Sequence, residues 1–457
     1  MRTANILGMF LAAASALAAQ PPGGLTMAQA VDGALKNYPA IQVSQEQINA
    51  AAAGIRLART AYLPRVDATA QVNRATRNNV FGLLLPQGVI PSMSGPVIGS
   101  NNFGTAWGSA IGALVTWEPF DFGLRQANVS VAEAARTQQE AALKRTRYDI
   151  AVATADAFLT LAAAQETVRA AQAGVDRADT VAKTVRALVE AELRPGADRA
   201  RAEAEAAAAR TQLAQAQQTT GVARANLSRF VGLDPARISI AMARPLDPPA
   251  EQNAAAPDSA GNPLVVEQNA VVEQARAQLR VLERSYFPRF SLQGAAYARG
   301  TGAETNGMNL GGLNGLAPTV QDYAVGFSVT FPVMDKPALA AREAVQSANM
   351  RAQAARGRQM LTDLRAQWNA AVADLQGARQ VAANVPVQMA AARSAAHQAA
   401  ARYQAGLGNI DEVAEAQRLV TQAEIDDALA RLSVWRGLLG LAAAAGDIQP
   451  FVAEVGE

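Results

Sequence analysis

Two stretches of this sequence, residues 124–190 and 338–404, each run for about 66 residues almost without glycine or proline. As α-helices they would be rods of roughly 100 Å, at 1.5 Å of rise per residue, which no globular domain needs. Each is followed by a short break, Leu193-Arg194-Pro195-Gly196 or Gly406-Leu407-Gly408-Asn409, and then by a returning helical stretch, 198–231 or 410–446. Two long antiparallel hairpins are therefore expected. In the second rod Leu361, Leu364, Trp368, Ala371, Leu375, Ala378, Ala382 and Val385 follow strict 3-4 spacing. That is a coiled-coil seam whose alanines permit close helix approach, and Pro386 is expected to end this stretch of seam and bend the helix. Roughly 106 of the 457 residues, about 23%, are alanine, so larger apolar types supply only about 27%. Alanine is the best helix former, and so small a stock of large apolar residues suits helix seams and a membrane face better than a conventional core.

The chain is also written twice. Tyr62-Leu63-Pro64-Arg65-Val66 recurs as Tyr286-Phe287-Pro288-Arg289-Phe290. Trp117-Glu118-Pro119-Phe120-Asp121 matches Phe331-Pro332-Val333-Met334-Asp335, and Ala191 through Asp198 matches Ala405 through Asp411. Each half reads as helix, strand, strand, helix, helix. The first repeat, 19–231, holds a helix over 26–60, strands over 64–74 and 106–118, and the hairpin 124–231. The second, 263–446, holds a helix over 263–285, strands over 288–300 and 322–332, and the hairpin 338–446. Between them 232–262, rich in Pro, Ala and Asp, reads as an irregular equatorial connector, and 447–457 as a tail. Pro64 and Pro288 end their helices because proline disfavours helical geometry in the residue before it.

All four strands alternate. Val66, Ala68, Ala70 and Val72 interleave with Asp67, Thr69, Gln71 and Asn73, and Tyr323, Val325, Phe327, Val329 and Phe331 with smaller residues. One face is thus apolar and the other polar or small. Trp107 and Trp117 lie ten residues apart on one face, roughly 33 Å of strand, which a tilt of about 40° projects to the height of an outer-membrane apolar band. Trp107, Trp117, Tyr323 and Phe331 are the expected membrane girdle; the alternative is a core stripe of a soluble sheet. Four strands cannot close a barrel, and lipid tolerates no open edge, so other copies of the chain must supply the rest. The strand-joining segments 74–105 and 301–321 are expected to be extracellular loops.

Other chemistries are scarce. With no cysteine and His397 as the single histidine, thiol nucleophiles, disulfides, thiolate metal sites, cysteine-attached lipid and histidine-rich metal sites have no residues to rest on. No phosphate-binding glycine loop follows a strand, the carboxylates are dispersed along helix faces, and neither an enzyme nor a cofactor is expected. A net charge of +2 with no polybasic block gives no case for nucleic acid. Arg2 precedes an apolar run from Ile6 to Ala19, too short for a bilayer, and Ala16-Leu17-Ala18 offers small residues before a cut, so residues 1–18 are expected to be a signal peptide. No run of 18 apolar residues follows.

Taken together, the paired Tyr-x-Pro strand starts, the Pro-x-Asp and Pro-x-x-Asp strand exits and the tip motifs Leu193-Arg194-Pro195-Gly196-Ala197-Asp198 and Tyr403-Gln404-Ala405-Gly406-Leu407-Gly408-Asn409-Ile410-Asp411 resemble the TolC-like outer membrane efflux protein family over essentially the whole mature chain. The resemblance implies a mainly α fold with a transmembrane β-barrel portion: a homotrimer with one 12-stranded barrel and a 12-helix periplasmic α-barrel. It also implies a cell outer membrane location in contact with lipid, and an exit duct for drugs or other small molecules working with an inner-membrane pump and a periplasmic adaptor. Type I protein secretion is the alternative within that reading, and a soluble periplasmic coiled-coil scaffold lies outside it.

The same resemblance implies the site residues. Glu412 and Glu415, at i and i+3 on one helix face, align with an acidic constriction that would become two stacked rings of three. A solvated face paired with Arg418 is the alternative. Asp198 aligns with a position that bonds to the neighbouring hairpin, with Tyr403 as partner, or else it caps its helix. Some relatives latch the closed state with an arginine two positions after the tip glycine; here that position is Gly408, which implies a weaker latch. Leu193, Arg194, Pro195, Gly196, Gly406, Leu407, Gly408 and Asn409 form the expected adaptor-docking tips, and Gly and Leu there otherwise mean a helix C-cap. His397 lies about two turns before the second tip, where a lumenal titrating role or simple packing are both open.

Overall fold

A computed structural model describes residues 24–76, 105–241, 259–304, 308 and 310–456. The expected signal peptide, most of the first strand-joining loop and the middle of the connector lie outside the described residues. In chain order the elements are α1 (Met27–Asn37), α2 (Pro39–Thr60), β1 (Arg65–Thr76), β2 (Thr105–Phe120), α3 (Leu124–Glu190) and α4 (Gly196–Val231). They continue with α5 (Pro263–Arg284), β3 (Arg289–Thr301), β4 (Val320–Thr330), α6 (Lys336–Gln404), α7 (Ile410–Ala445) and α8 (Gln449–Gly456).

Two local readings change. The single helix expected over 26–60 is broken at Tyr38, which is extended (φ −69°, ψ 125°), because Pro39 behind it disfavours helical backbone. Thr26 starts α1 with a capping box, its hydroxyl accepting from the Gln29 N–H while its own N–H donates to the Gln29 side chain. Pro386, by contrast, lies inside a continuous α6. The seam does not stop there: Val385, Ala392, Ala396 and Tyr403 are all buried. Packing along that face offsets the hydrogen bond a mid-helix proline forfeits.

The chain forms two compact units, and α2, α3, α5 and α6 contribute residues to both. One comprises the described parts of Met1–Gln42, Lys144–Pro263 and Leu361–Glu457. Contrary to the compositional expectation, it contains a conventional core. Met27 and Val31 of α1, Phe158, Leu159 and Leu161 of α3, Leu227 and Phe230 of α4, Trp435 and Leu439 of α7, and Phe451 and Val452 cluster together. Many of its large apolar residues gather in this one cluster, and smaller clusters such as Val185 with Tyr403, Ile410 and Val413, and Leu375 with Val434 and Leu441, lie elsewhere along the helices. Residues 447–457, read as a tail, supply α8 to this core, with Phe451 edge-on to Trp435 at 6.0 Å. Leu25 pairs with Ile240 as a short parallel bridge, so the connector's first residues are tied in by backbone bonds. Small residues set helix spacing elsewhere: a Cβ on Gly437 would sit 2.9 Å from the Leu375 Cα.

The second unit comprises the described parts of Val43–Leu143 and Leu264–Met360. Its centre is one antiparallel sheet of order β1-β2-β3-β4.

Candidate functional site

Register decides what the sheet can face. One run of opposed residues is Val66, Val115, Gly294 and Val325; the next is Ala68, Ala113, Ala296 and Tyr323. All lie on the face that also carries Val72, Ile111, Trp117, Leu292 and Phe327, every one of them exposed. Val325 is 76% and Tyr323 86% exposed. A continuous apolar face of this kind is what lipid requires and water penalises. The opposite face carries Asp67, Gln71, Gln293 and Tyr297, with ion pairs Arg65–Asp67 at 2.9 Å and Arg299–Asp322 at 3.1 Å.

Of the expected girdle residues, Trp107 packs under the Arg74 guanidinium opposite it (5.2 Å), and Trp117 donates its indole N–H to the Tyr62 carbonyl at 3.1 Å. Tyr323 is level with Ala113 along the ladder, four residues from Trp117. Phe331 lies one residue past β4 and is exposed. The sheet end near the helices also gathers Phe120, Phe122, Phe287, Phe290 and Phe327, with ring centroids 4.6–6.0 Å apart. Sequence alternation missed this cluster because a register shift between Trp117 and Phe120 and a left-handed Phe122 (φ 51°) reset the faces.

The strand exit into α3 is held by a buried ion pair. Asp121 accepts from the Gly123 N–H at 3.1 Å, the Arg125 N–H at 2.6 Å and Arg125 Nε at 3.0 Å. Arg125 in turn donates to the Ala61 carbonyl at 3.3 Å and covers the Tyr62 ring at 4.9 Å. The paired sequence marks of the first repeat, Tyr-x-Pro and Pro-x-Asp, thus meet in one junction.

The two hairpin tips close by the same backbone device. At the first, the Leu193 N–H donates to Leu188 O (2.9 Å) and the Glu192 N–H to Val189 O (3.0 Å); at the second, Leu407 donates to Arg402 O (2.8 Å) and Gly406 to Tyr403 O (3.1 Å). These are Schellman turns, which need a left-handed residue. Gly406 fills that position at φ 79°, but Glu192 holds φ 60° at the first tip, where a Cβ costs roughly 1 kcal/mol. Glu192→Gly should therefore stabilise the first tip by about 1 kcal/mol, read as about fivefold slower hydrogen exchange at the Leu193 amide. Leu193 and Leu407 are 69% and 74% exposed, Pro195 is the N-cap of α4 and Gly196 its first residue. Asn409 caps α7, accepting from the Glu412 N–H at 2.9 Å.

Tyr403 is 3% exposed, and its hydroxyl donates to Asp198 at 2.8 Å. Asp198 does not cap α4; it sits in the first turn and serves the other hairpin. Burial first, then the Asp198 carboxylate, pushes the phenol up to about 12. Arg194, one of the expected docking-tip residues, lies against the second hairpin. Its guanidinium stacks 4.2 Å over the Tyr403 ring and donates to the Tyr403 carbonyl. An arginine therefore reaches the tip contact after all, from the first hairpin and not from the Gly408 position.

Glu412 lies 3.9 Å from Arg402. Glu415 is 3.8 Å from Arg418, but Arg418 is directed at Glu205 of α4 (2.9 Å), leaving the Glu415 side chain 65% exposed. His397 is exposed on α6. Sequence spacing missed a second interhelical clamp, Glu424 of α7, which accepts from Arg177 of α3 at 2.8 Å and Arg393 of α6 at 3.2 Å.

Comparison with known proteins gives the same architecture. No curated protein matches the sequence. Among solved structures the chain is similar to the outer-membrane channel OprN (21% identity, 92% of this chain and 89% of that one, TM-score 0.72). It is also similar to the Campylobacter jejuni CmeC outer membrane channel (14%, 94% and 89%, TM-score 0.73). A third is the open state of the Neisseria gonorrhoeae MtrE outer membrane channel (19%, 93% and 90%, TM-score 0.71). The profile of the outer membrane efflux protein family matches residues 30–233 and 259–447. A sheet with one lipid-type face, two long helical hairpins and this match over most of the sequence make the chain a member of the outer membrane efflux protein family.

Proposed function

We propose that three copies of this chain form an exit duct, their sheets closing one 12-stranded barrel in the outer membrane and their hairpins a periplasmic α-barrel. The observation that carries this is the sheet: a continuous exposed apolar face, a polar opposite face, and open edges at β1 and β4. In lipid those edges must be paired, and a second copy is the partner whose strands match. The duct works without a catalytic step, moving small molecules delivered by an inner-membrane pump through a periplasmic adaptor. Threefold symmetry would set Glu412 and Glu415 as stacked acidic rings that favour cations, and the Tyr403–Asp198–Arg194 contact holds the two tips together beside them.

Fractionation tests the core of this reading: recovery in the outer membrane as a heat-sensitive trimer is expected, and a soluble periplasmic monomer would refute it. The exposed leucines of the tips are the adaptor surface in this scheme. Leu193→Asp with Leu407→Asp should abolish drug resistance while leaving trimer assembly intact; loss of assembly would assign those leucines a structural role instead.

A further inference from the structure

One row of the sheet breaks the pattern of its apolar face. Val72 of β1 lies opposite Ser109 of β2, and Ser109 opposite Gly300 of β3. Counting by twos from the opposed pair Ile111 and Ala298 puts all three on the face that carries Val115 and Trp117. Val72 is 61% exposed there, but Ser109 is only 5% exposed and Gly300 is buried. What covers them is the segment Gly302–Thr319, which joins β3 to β4. A Cβ on Gly300 would run into the Ala317 carbonyl oxygen and lie 2.8 Å from the Gly315 carbonyl oxygen and 2.8 Å from the Ser109 hydroxyl. A Cβ on Gly315, which holds φ 95°, would likewise meet the Trp107 carbonyl oxygen and the Gly302 nitrogen. The chain therefore crosses the apolar side of the sheet on its way to β4, over a pair of residues small enough to let backbone lie against them.

The segment is also made for apolar surroundings. Glu304 is its only charged residue, and Met308, Leu310 and Leu313 are exposed, Leu313 by 72%. Lipid leaves backbone polar groups to be paired within the protein, and the ends and the turn of the segment are paired in that way. The Gly302 N–H donates to the Trp107 carbonyl at 2.8 Å, the Leu310 N–H to the Gly302 carbonyl at 2.9 Å and the Thr319 N–H to the Arg299 carbonyl at 2.9 Å. The Asn314 side chain donates to the Leu310 and Gly311 carbonyls at 2.9 and 3.0 Å, and Pro318 has no N–H to satisfy. The seat lies over β2 and β3, the inner strands of the order β1-β2-β3-β4, away from the edges that a second copy would pair.

We propose that Gly302–Thr319 is a flap seated in the outer leaflet of the outer membrane, its backbone against Ser109 and Gly300 and its Leu310 and Leu313 side chains among the acyl chains beside Trp107. This rests on the duct reading above, which makes the covered face the lipid face. The flap adds a second apolar layer to the wall formed by β2 and β3, and so resists vertical displacement of the barrel in the membrane.

Because the chain contains no cysteine, single labels read the surroundings directly. The full-length protein carrying Leu310→Cys, Leu313→Cys, Val325→Cys or Leu193→Cys is labelled with an environment-sensitive fluorophore and reconstituted in phosphatidylcholine nanodiscs. Nitroxide-bearing acyl chains and aqueous iodide serve as quenchers, with Val325 reporting the sheet face and Leu193 the exposed hairpin tip. The labels at Leu310 and Leu313 should lose emission to the nitroxide lipid as the Val325 label does, and lose none to iodide. Quenching of both by iodide, with Val325 still quenched by lipid, overturns the flap and leaves the duct reading standing. Protection from both quenchers means that protein covers the segment, which overturns the flap equally. A Val325 label open to iodide overturns the duct reading, and the flap with it. Gly300→Val in the Leu313→Cys chain should lift the segment from its seat and abolish most of the lipid quenching at Leu313; unchanged quenching there overturns the seat over Gly300.

Discussion

In the proposed duct, Arg194→Ala, Tyr403→Phe and Asp198→Asn should each raise the conductance of the trimer reconstituted in planar bilayers. A hydrogen bond to a charged group contributes about 1.5–3 kcal/mol, so removing the Tyr403–Asp198 bond should shift the closed-to-open ratio by about tenfold or more per subunit. Arg194→Ala removes both the ring stacking and the donor to the Tyr403 carbonyl, and should match Tyr403→Phe in size. The two changes combined should produce less than the sum of their effects, because they act on one contact. The phenol is raised above its ordinary value of 10, so its contribution is complete below pH 10 and is lost as pH climbs from 10 to about 12. Gating through this contact should thus be flat from about pH 6 to 9. Conductance unchanged in all three variants would remove the tip contact from the gate. On the sequence alone, Gly408 implied a weakly latched end; Arg194 brings a guanidinium to the tip contact from the other hairpin.

The second large effect is on stability. Asp121 and Arg125 have side chains only 8% and 10% exposed, so either one alone would be a charge buried without its partner. Arg125→Met should destabilise the protein by about 3–5 kcal/mol, measured as loss of the heat-sensitive trimer at a lower urea concentration. The second repeat suggests the rescue. There the position matching Arg125 is Leu339, which is 7% exposed, and its N–H bonds to the Asp335 carbonyl at 2.9 Å. Arg125→Leu combined with Asp121→Ser, which keeps a cap for α3 and removes the charge, should recover most of the loss. A double variant as unstable as Arg125→Met would mean that the contacts of Arg125 to Ala61 and Tyr62 carry the junction instead of charge pairing.

Much of the architecture was legible because it is written in periodicities that local stereochemistry enforces. Runs almost without glycine or proline became α3 and α6, and alternation became four strands whose large apolar residues mostly share a face. The Asp198–Tyr403 contact was legible only through resemblance, and its geometry was not. Arg194 lies next to the leucine assigned to docking, and nothing in its spacing distinguishes a side chain pointing at a partner from one folded across 209 residues of sequence onto Tyr403. The clamp from Glu424 to Arg177 and Arg393 was invisible for the same reason: each is an ordinary charge on a helix rich in charges. Composition misled once. A low average of large apolar residues concealed a dense local core around Phe158 and Trp435, because an average carries no position.

By itself the sequence determined the four strands and the long helices, the twofold internal repeat and the division of each strand into a lipid-type and a polar face, since these follow from φ/ψ preference and side-chain period within a few neighbouring residues. Only the tertiary structure decided which charges meet, where the core sits, how the tips grip each other and which register the sheet keeps. Those outcomes depend on contacts between residues tens to hundreds of positions apart, and a one-residue change in any of them leaves the local pattern untouched.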